Sequence, residues 1–395
     1  MLLKNVQLVL RPATPLAWLQ LVRERTRLLV GISGIAFAVV LMFMQMGFRT
    51  ALFASAVGMH AHLDGEIVIT SPRSVALIAM ERFSERSLTR ALEVTGVQAV
   101  TPIYVESGLW KNPANPAATR NIRVYGINPD ASVFTLRGVP EQIGRTKLPD
   151  VVLFDRGSRG EFGPVVQLFG AGGPVVTEVE RRRVEVAGLF ELGVTFGSDG
   201  ALVTSEINFL RIFADRRQKG LIDIGLVKLT SDADPERVLA DLKYHLGPDV
   251  QVMRKREYMD FEVNYWNSST PIGFTFTLGA IMGFVVGAII VYQVLYTDVA
   301  DHLGEYATLK AMGYADRYFL GVVFQSAGIL AALGFLPGVA IAWGLYEITR
   351  SATLLPMFLE PDRCLLVLAL TFVMCCISGA LAVRKLREAD PADIF

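Results

Sequence analysis

The sequence predicts an α-helical membrane protein with four transmembrane helices and one large α+β domain set between the first helix and the second. Three observations predict it. Four long apolar runs contain no charged residue, basic clusters flank the first and the last of them, and a strand-helix-strand order occurs twice in the long interval between the first two runs. Composition agrees: 52% of the 395 residues are apolar, and the mean hydropathy is +0.41.

The runs cover residues 28–48, 272–296, 319–345 and 364–383. Each reaches the roughly 20 residues that a helix needs to cross about 30 Å of hydrocarbon. Lys4, Arg11, Arg23, Arg25 and Arg27 precede the first run, and Arg384, Lys385 and Arg387 follow the last. Both termini are therefore expected in the cytoplasm, with residues 49–271 on the far side. Arg181, Arg182 and Arg183 do not oppose this, because long translocated domains largely escape the charge rule. Ala54-Ser55-Ala56 resembles a signal-peptidase site, but the apolar run before it is longer than a signal sequence needs, so an uncleaved anchor is expected.

The remaining segments are read in chain order. Within residues 1–27, Leu16, Trp18, Leu19 and Val22 alternate with Gln20, Arg23 and Arg25, which gives either an amphipathic helix on the inner membrane surface or an extension of the first span. In the far-side domain, strand-like Ile67 to Thr70 leads to a helix over Glu85 to Thr95, then Gly96, then an extended Val100 to Trp110. The order returns with Gly225 to Thr230, a helix opening at Asp234-Pro235 and closing at Gly247, and Val250 to Met253. Two βαβ units at the ends of one domain predict a split sandwich sharing one sheet. Between them, residues 118–220 read as a β-rich insertion, with strands at Arg120 to Gly126, Val151 to Phe154, Arg183 to Phe190 and Ala201 to Thr204. Residues 297–318 form a short cytoplasmic loop, helical to Met312 with Gly313 as its stop, and Val299, Leu303, Tyr306 and Leu309 mark its apolar face. A short far-side loop at 346–363 and a cytoplasmic tail at 384–395 complete the chain.

The chemistry-bearing motifs are few. No GxxxxGK[ST], HExxH or GxSxG occurs, so no phosphate-cradling loop, zinc protease helix or nucleophile elbow is expected, and catalytic residues are expected to be none. Cys364, Cys375 and Cys376 lie in or beside the last span, which leaves the far-side domain without disulfides. His60, His62, Asp64 and Glu66 alternate at period two and on a strand would share a face able to ligate a metal; the simpler reading is a polar strip where the chain leaves the membrane, and no metal is expected. His245 and His302 read as isolated surface or amphipathic-face residues. Gln45, Gln293 and Gln325 are the strongly polar members of the spans, which disfavours an ion-coupled transporter or polar pore. Gly279, Gly283 and Gly287 make a small-residue stripe for close helix approach, within the chain or between two copies. Gly334-Phe335-Leu336-Pro337-Gly338 predicts a kink in the third span.

The block TPIGFTFTLGAIMGFVVGAIIVYQVLYTDVADHLGEYATLKAMGY from Thr270 to Tyr314 strongly resembles the DevC-type branch of the MacB/FtsX-like, or type VII, ABC transporter permeases. FELGVTFGSDG from Phe190, SEINFLRIF from Ser205, GFLPG from Gly334 and ADPADIF from Ala389 resemble the same branch, as does the layout of one span, a large outer domain and three more spans. The resemblance implies a porter-like periplasmic domain, a bacterial inner-membrane location, and a homodimer bound by ABC ATPase subunits that hold the ATP and magnesium, with no cofactor in this chain. It implies a coupling helix seated on the ATPase, carried onto Asp301, Glu305, Tyr306, Leu309, Lys310 and Met312. It further implies a periplasmic membrane fusion protein, an outer-membrane TolC-like channel, a lipid or other amphiphile as cargo, and no nucleic acid. Export driven by transmitted conformational change is the expected function; a non-transporting signalling or scaffold subunit of an FtsX-like complex is the alternative.

Overall fold

The computed structural model describes residues 22–302 and 316–387 together with Trp18, Gly304, Thr308 and Met312, with backbone alone at 316, 317, 319 and 385–387. Its elements are α1 (Arg25–Ala56), α2 (Gly58–Ala61), β1 (Ile67–Thr70), β2 (Phe83–Ser84), α3 (Glu85–Arg90), β3 (Val97–Lys111) and β4 (Thr119–Ile127). There follow α4 (Val139–Gln142), β5 (Val151–Asp155), α5 (Val165–Gly170), β6 (Val175–Val179), β7 (Arg182–Phe190), β8 (Ala201–Ser205) and α6 (Glu206–Ile212). The chain continues with β9 (Leu221–Ile222), β10 (Ile224–Leu229), α7 (Pro235–Leu246), β11 (Gln251–Arg254), α8 (Lys255–Asn264), α9 (Pro271–Asp301), α10 (Asp316–Thr353) and α11 (Pro361–Arg387). Residues Ala51–Gly273 with Ala352–Pro356 make one compact unit, and the long helices make the other.

The folded unit is organised by a nine-stranded sheet in the order β11-β1-β10-β3-β4-β8-β5-β7-β6. Its first four strands are antiparallel neighbours drawn from both ends of the domain: Val68 stands opposite Leu226 on one side and Met253 on the other. With α3 and α7 as crossovers, these strands are the split βαβ pair that the recurring pattern predicts. Local chemistry fixes α7. Asp234 caps it by accepting from the Glu236 amide at 3.0 Å, Pro235 opens it, and Val238, Leu239, Leu242 and Leu246 form its buried face.

The inserted strands continue the same sheet. β4 pairs antiparallel with β3, β8 parallel with β4, β5 antiparallel with β8, β7 parallel with β5, and β6 antiparallel with β7. Trp110 of β3 then pairs with Val179 of β6, which closes the ring. The fully buried Trp110 ring packs 5.2 Å from Phe154, and its Nε1 donates to the Phe162 carbonyl at 3.0 Å. Four inserted elements, α4, α5, β6 and α6, are absent from the sequence reading. β6 turns into β7 through Glu180 and Arg181, whose φ angles of 49° and 65° lie where hairpin turns usually place Asn or Gly, so the usual turn signal is missing.

β3 serves both lobes. Its amino-terminal part pairs with β10 and its carboxy-terminal part with β4, and Ile103 touches both partners. Just past that handover, Asp223 receives the Val105 amide at 2.8 Å and pairs with Arg217, both side chains 2% exposed. Arg217 also lies 5.2 Å from the Phe209 ring. Burial raises the Asp223 pKa, opposed by Arg217 and the Val105 amide.

Among the described residues, the other unit contains four helices long and apolar enough to cross a membrane. They are longer than the apolar runs, since helical backbone continues into polar flanks such as Arg49 and Asp301. α10 runs unbroken through Pro337, where the sequence predicts a kink.

Removing one partner of the buried Arg217–Asp223 pair is expected to cost about 3–5 kcal/mol. Asp223→Ala should therefore lower hydrogen-exchange protection of the β3 and β4 amides in the purified full chain, and the double variant Arg217→Met/Asp223→Leu should recover most of it.

Candidate coupling site and helix seams

Small residues let the other membrane helices press against α1. A Cβ added at Gly279 of α9 would meet the Gln45 carboxamide; at Gly283 it would lie 3.2 Å from Leu41 Cβ; at Gly287 it would lie 2.6 Å from Ala38 Cβ and collide with the Met374 sulfur of α11. On α10, the corresponding atom at Gly334 would lie 2.6 Å from Ile35, and at Gly338 2.7 Å from Val39. The glycine stripe of α9 is thus filled from within the chain. Of the two uses the sequence leaves open, the structure shows the internal one, and the GFLPG glycines make a second seam of the same kind. Hydrogen bonds tie the bundle as well. The Tyr346 hydroxyl donates to the Phe43 carbonyl at 2.5 Å, and Ser378 donates to the Ala288 carbonyl at 2.7 Å.

The carboxy-terminal end of α9 carries Asp301, one of the two predicted coupling residues among the described ones. Asp301 pairs with Arg27 of α1, which also pairs with Glu24 at 2.7 Å. One turn earlier, Asp298 is buried, and its carbonyl bonds His302 Nδ1 at 2.8 Å, with a carboxylate oxygen 3.8 Å from the same nitrogen. His302 is therefore buried rather than isolated on a surface. Its partner lies four residues back, one helical turn, a spacing that could have found the pair. Beside it Val299 packs with Val323 of α10 and Val383 of α11. Farther along, Met312 donates its amide to the Thr308 carbonyl at 3.1 Å, and Met312 is 64% exposed. Glu305, Tyr306, Leu309 and Lys310 lie outside the described residues, as does most of the amphipathic segment before α1.

The period-two group around His60 does not share a face. The chain there is a helical turn, α2, followed by a bend, and strand geometry begins at Ile67. His62 bonds the Gly58 carbonyl at 2.8 Å, Asp64 pairs with Lys228 at 2.8 Å, and Glu66 accepts from the Leu229 amide at 2.9 Å. His60 points inward, fully buried, with its ring 4.5 Å from that of Tyr258 and its Nε2 3.7 Å from Glu262. Burial lowers the His60 pKa to about 3. Burial also raises the Glu262 pKa, against bonds that its carboxylate accepts from the Leu77 amide at 2.7 Å and Trp266 Nε1 at 2.9 Å. Among the described residues, no three His, Cys, Asp or Glu side chains converge as a metal site would require. His245 is not isolated either, since it pairs with Glu93 at 3.0 Å.

Two family models match the chain. The MacB-like periplasmic core domain matches residues 29–244, and the FtsX-like permease C-terminal region matches residues 277–391. Among solved structures, the chain is similar to the periplasmic region of MacB from Actinobacillus actinomycetemcomitans, at 14% identity over 51% of this chain and 94% of that one, with a TM-score of 0.34. It is also similar to the extracellular domain of the noncanonic ABC-type transporter YknZ from Gram-positive bacteria, at 16% identity over 48% of this chain and 100% of that one, with a TM-score of 0.33. A comparison with curated protein sequences returns no match.

Two outcomes follow from these contacts. Gly287→Leu and Gly338→Leu should each destabilise the bundle by about 1–3 kcal/mol through overpacking, read as a lower thermal midpoint in detergent, whereas Gly344→Leu, with open space around it, should not. For His60, the folded-state pKa lies below the ordinary 6.5, so the unfolded chain takes up the proton first and stability falls as pH drops from 6.5 toward about 3. Between pH 7.5 and pH 5 the wild-type chain should lose roughly 2 kcal/mol more than His60→Gln, measured by denaturation of the full chain at both pH values.

Proposed function

This chain belongs to the MacB/FtsX-like permease family, and we propose that within it the chain is the mechanical transmission subunit of an ATP-driven exporter. Membership makes it a transmembrane subunit of the type VII ABC transporter kind: it is embedded in the bilayer, partnered by an ABC ATPase, and not itself the catalytic subunit. The finer reading places it in the DevC-type branch, as a homodimer in a bacterial inner membrane with both termini cytoplasmic and the folded domain periplasmic. That domain would work with a membrane fusion protein and a TolC-like outer-membrane channel, and the cargo would be a lipid or another amphiphile. The ATP and magnesium belong to the partner subunit.

The observation that best supports transmission is the anchoring of the α9 terminus. Arg27–Asp301 ties it to α1, and Val299, Val323 and Val383 pack it between α10 and α11. A push on the segment after Asp301 therefore reaches three helices at once. The family's coupling helix maps onto that segment, through Glu305, Tyr306, Leu309, Lys310 and Met312. Because the glycine stripe is filled internally, we assign self-association to the opposite, exposed face of α9, which presents Phe274, Leu278, Ile281, Met282, Val285 and Ile289.

Tyr306→Asp and Leu309→Asp should leave the partner's ATP turnover in place while lowering export at least about tenfold, since each puts a charge on an apolar docking face. The check is ATPase activity and cargo release measured on the same reconstituted assembly, with expression and complex formation verified. Wild-type export by either variant would sink the coupling assignment.

A further inference from the structure

The segment FELGVTFGSDG forms a loop that transmission does not use. Its root is fixed by the buried Asp155, whose Oδ1 accepts from the Leu192 amide at 2.9 Å and the Gly157 amide at 3.0 Å, while Oδ2 accepts from the Gly193 amide at 2.9 Å. At its tip Thr195 and Ser198 exchange backbone bonds of 2.9 and 3.2 Å. That tight turn holds Phe196 out, 38% exposed, edge-on against Trp266 at 4.5 Å.

A second loop lies against it. Residues 75–79 form a tight turn, with Ala76 bridged to Ala79, and it presents Val75 and Ile78 at 48% and 42% exposure. Glu262 of α8 fastens this second loop through the Leu77 amide and, through Trp266 Nε1, holds the π-helical Trp266 against which Phe196 of the first loop rests. The loops interlock, since a Cβ added at Gly197 would lie 2.7 Å from Ile78 Cγ2. The result is an apolar rim of Val75, Ile78 and Phe196 with the exposed cation Arg73 beside it, while the polar groups beneath, Glu262 and Arg123, are buried.

Chain geometry says what can cover this rim. Trp266 stands five residues before Pro271, the first residue of the apolar helix α9, and Ala56, the last residue of α1, lines the same crevice as Ile78, Gly197 and Trp266. Five residues reach at most about 17 Å, so the rim is leashed at two points to helices that enter a bilayer. Large apolar side chains flanked by a basic residue are the composition of an interfacial membrane contact.

We propose that this two-loop rim dips into the lipid headgroup zone of the leaflet on the side of the folded domain. Phe196, Ile78 and Val75 lie among the upper acyl carbons, and Arg73 meets lipid phosphate. The contact anchors the domain to the membrane surface whether or not the chain exports a cargo.

The test uses the full chain, with Cys364, Cys375 and Cys376 replaced by Ala, in nanodiscs of phosphatidylcholine and phosphatidylglycerol. Phe196→Cys and, separately, Ile78→Cys carry an environment-sensitive NBD probe, and Tyr244→Cys on α7, where Tyr244 is 93% exposed, is the aqueous control. Lipid carrying a shallow doxyl group should quench the probes at 196 and 78 about threefold more than the control, and Arg73→Glu should reduce that quenching about twofold in the anionic discs. Equal iodide access at all three positions, with no doxyl effect, would overturn the proposal. So would probes that become shielded only when an added protein partner is present, since that would make the rim a protein interface.

Discussion

The membrane unit depends on how closely α1 is approached. Inside a bilayer, apolar side chains gain little by leaving lipid for protein, so helix association rests on van der Waals contact and on the few hydrogen bonds available. Gly279, Gly283 and Gly287 on one neighbour, and Gly334 and Gly338 on another, bring two backbones against Ile35, Ala38, Val39, Leu41 and Gln45 of α1. Ile35, Ala38, Val39, Met42 and Phe43 are consequently among the most buried residues of the unit. Larger side chains at those glycines would separate the helices and forfeit contact along whole turns, because dispersion falls off within an ångström of gap.

The folded unit has an analogous element in β3. One strand supplies hydrogen bonds to the βαβ half along its beginning and to the inserted ring along its end, so the two halves share a backbone instead of a surface. Such a handover exposes a backbone amide where one partner strand stops. The Asp223 carboxylate receives that amide at Val105, and Arg217 neutralises the carboxylate in a place too dry to leave it alone. The ion pair is best understood as fixing where the handover occurs, since a one-residue slip of β3 would turn its core-facing side chains outward in both lobes.

How much of this was legible in the sequence varied with the physics involved. Membrane spans announce themselves because lipid forbids charge over a fixed length, and α7 was legible because Asp234, Pro235 and Gly247 mark its ends chemically. The glycine stripe of α9 was legible as a place of close approach, yet its partner was not, since small-residue spacing says that some helix can come near and not which one. The burial of His302 was not legible, because only its Asp298 partner, one turn back, lies nearby in the sequence. The period-two reading of His60 to Glu66 failed through its premise of a strand, and the hairpin from β6 to β7 was invisible because Glu180 and Arg181 occupy left-handed backbone without the residues that usually signal it. The coupling segment could be assigned by resemblance alone, and four of its six residues lie outside the described structure.

These constraints bear on what kind of work such a bundle can do. Some polar groups at its seams are spent on internal partners, as with Tyr346 on the Phe43 carbonyl and Ser378 on the Ala288 carbonyl. A route for polar cargo through the chain would need donors and acceptors free to replace water, and it would have to part seams in which backbones already touch. Displacing packed helices together costs less, because close-packed interiors transmit strain more readily than they open. In the function proposed above, an ATP-driven partner acting at the end of α9 would use this bundle as a lever.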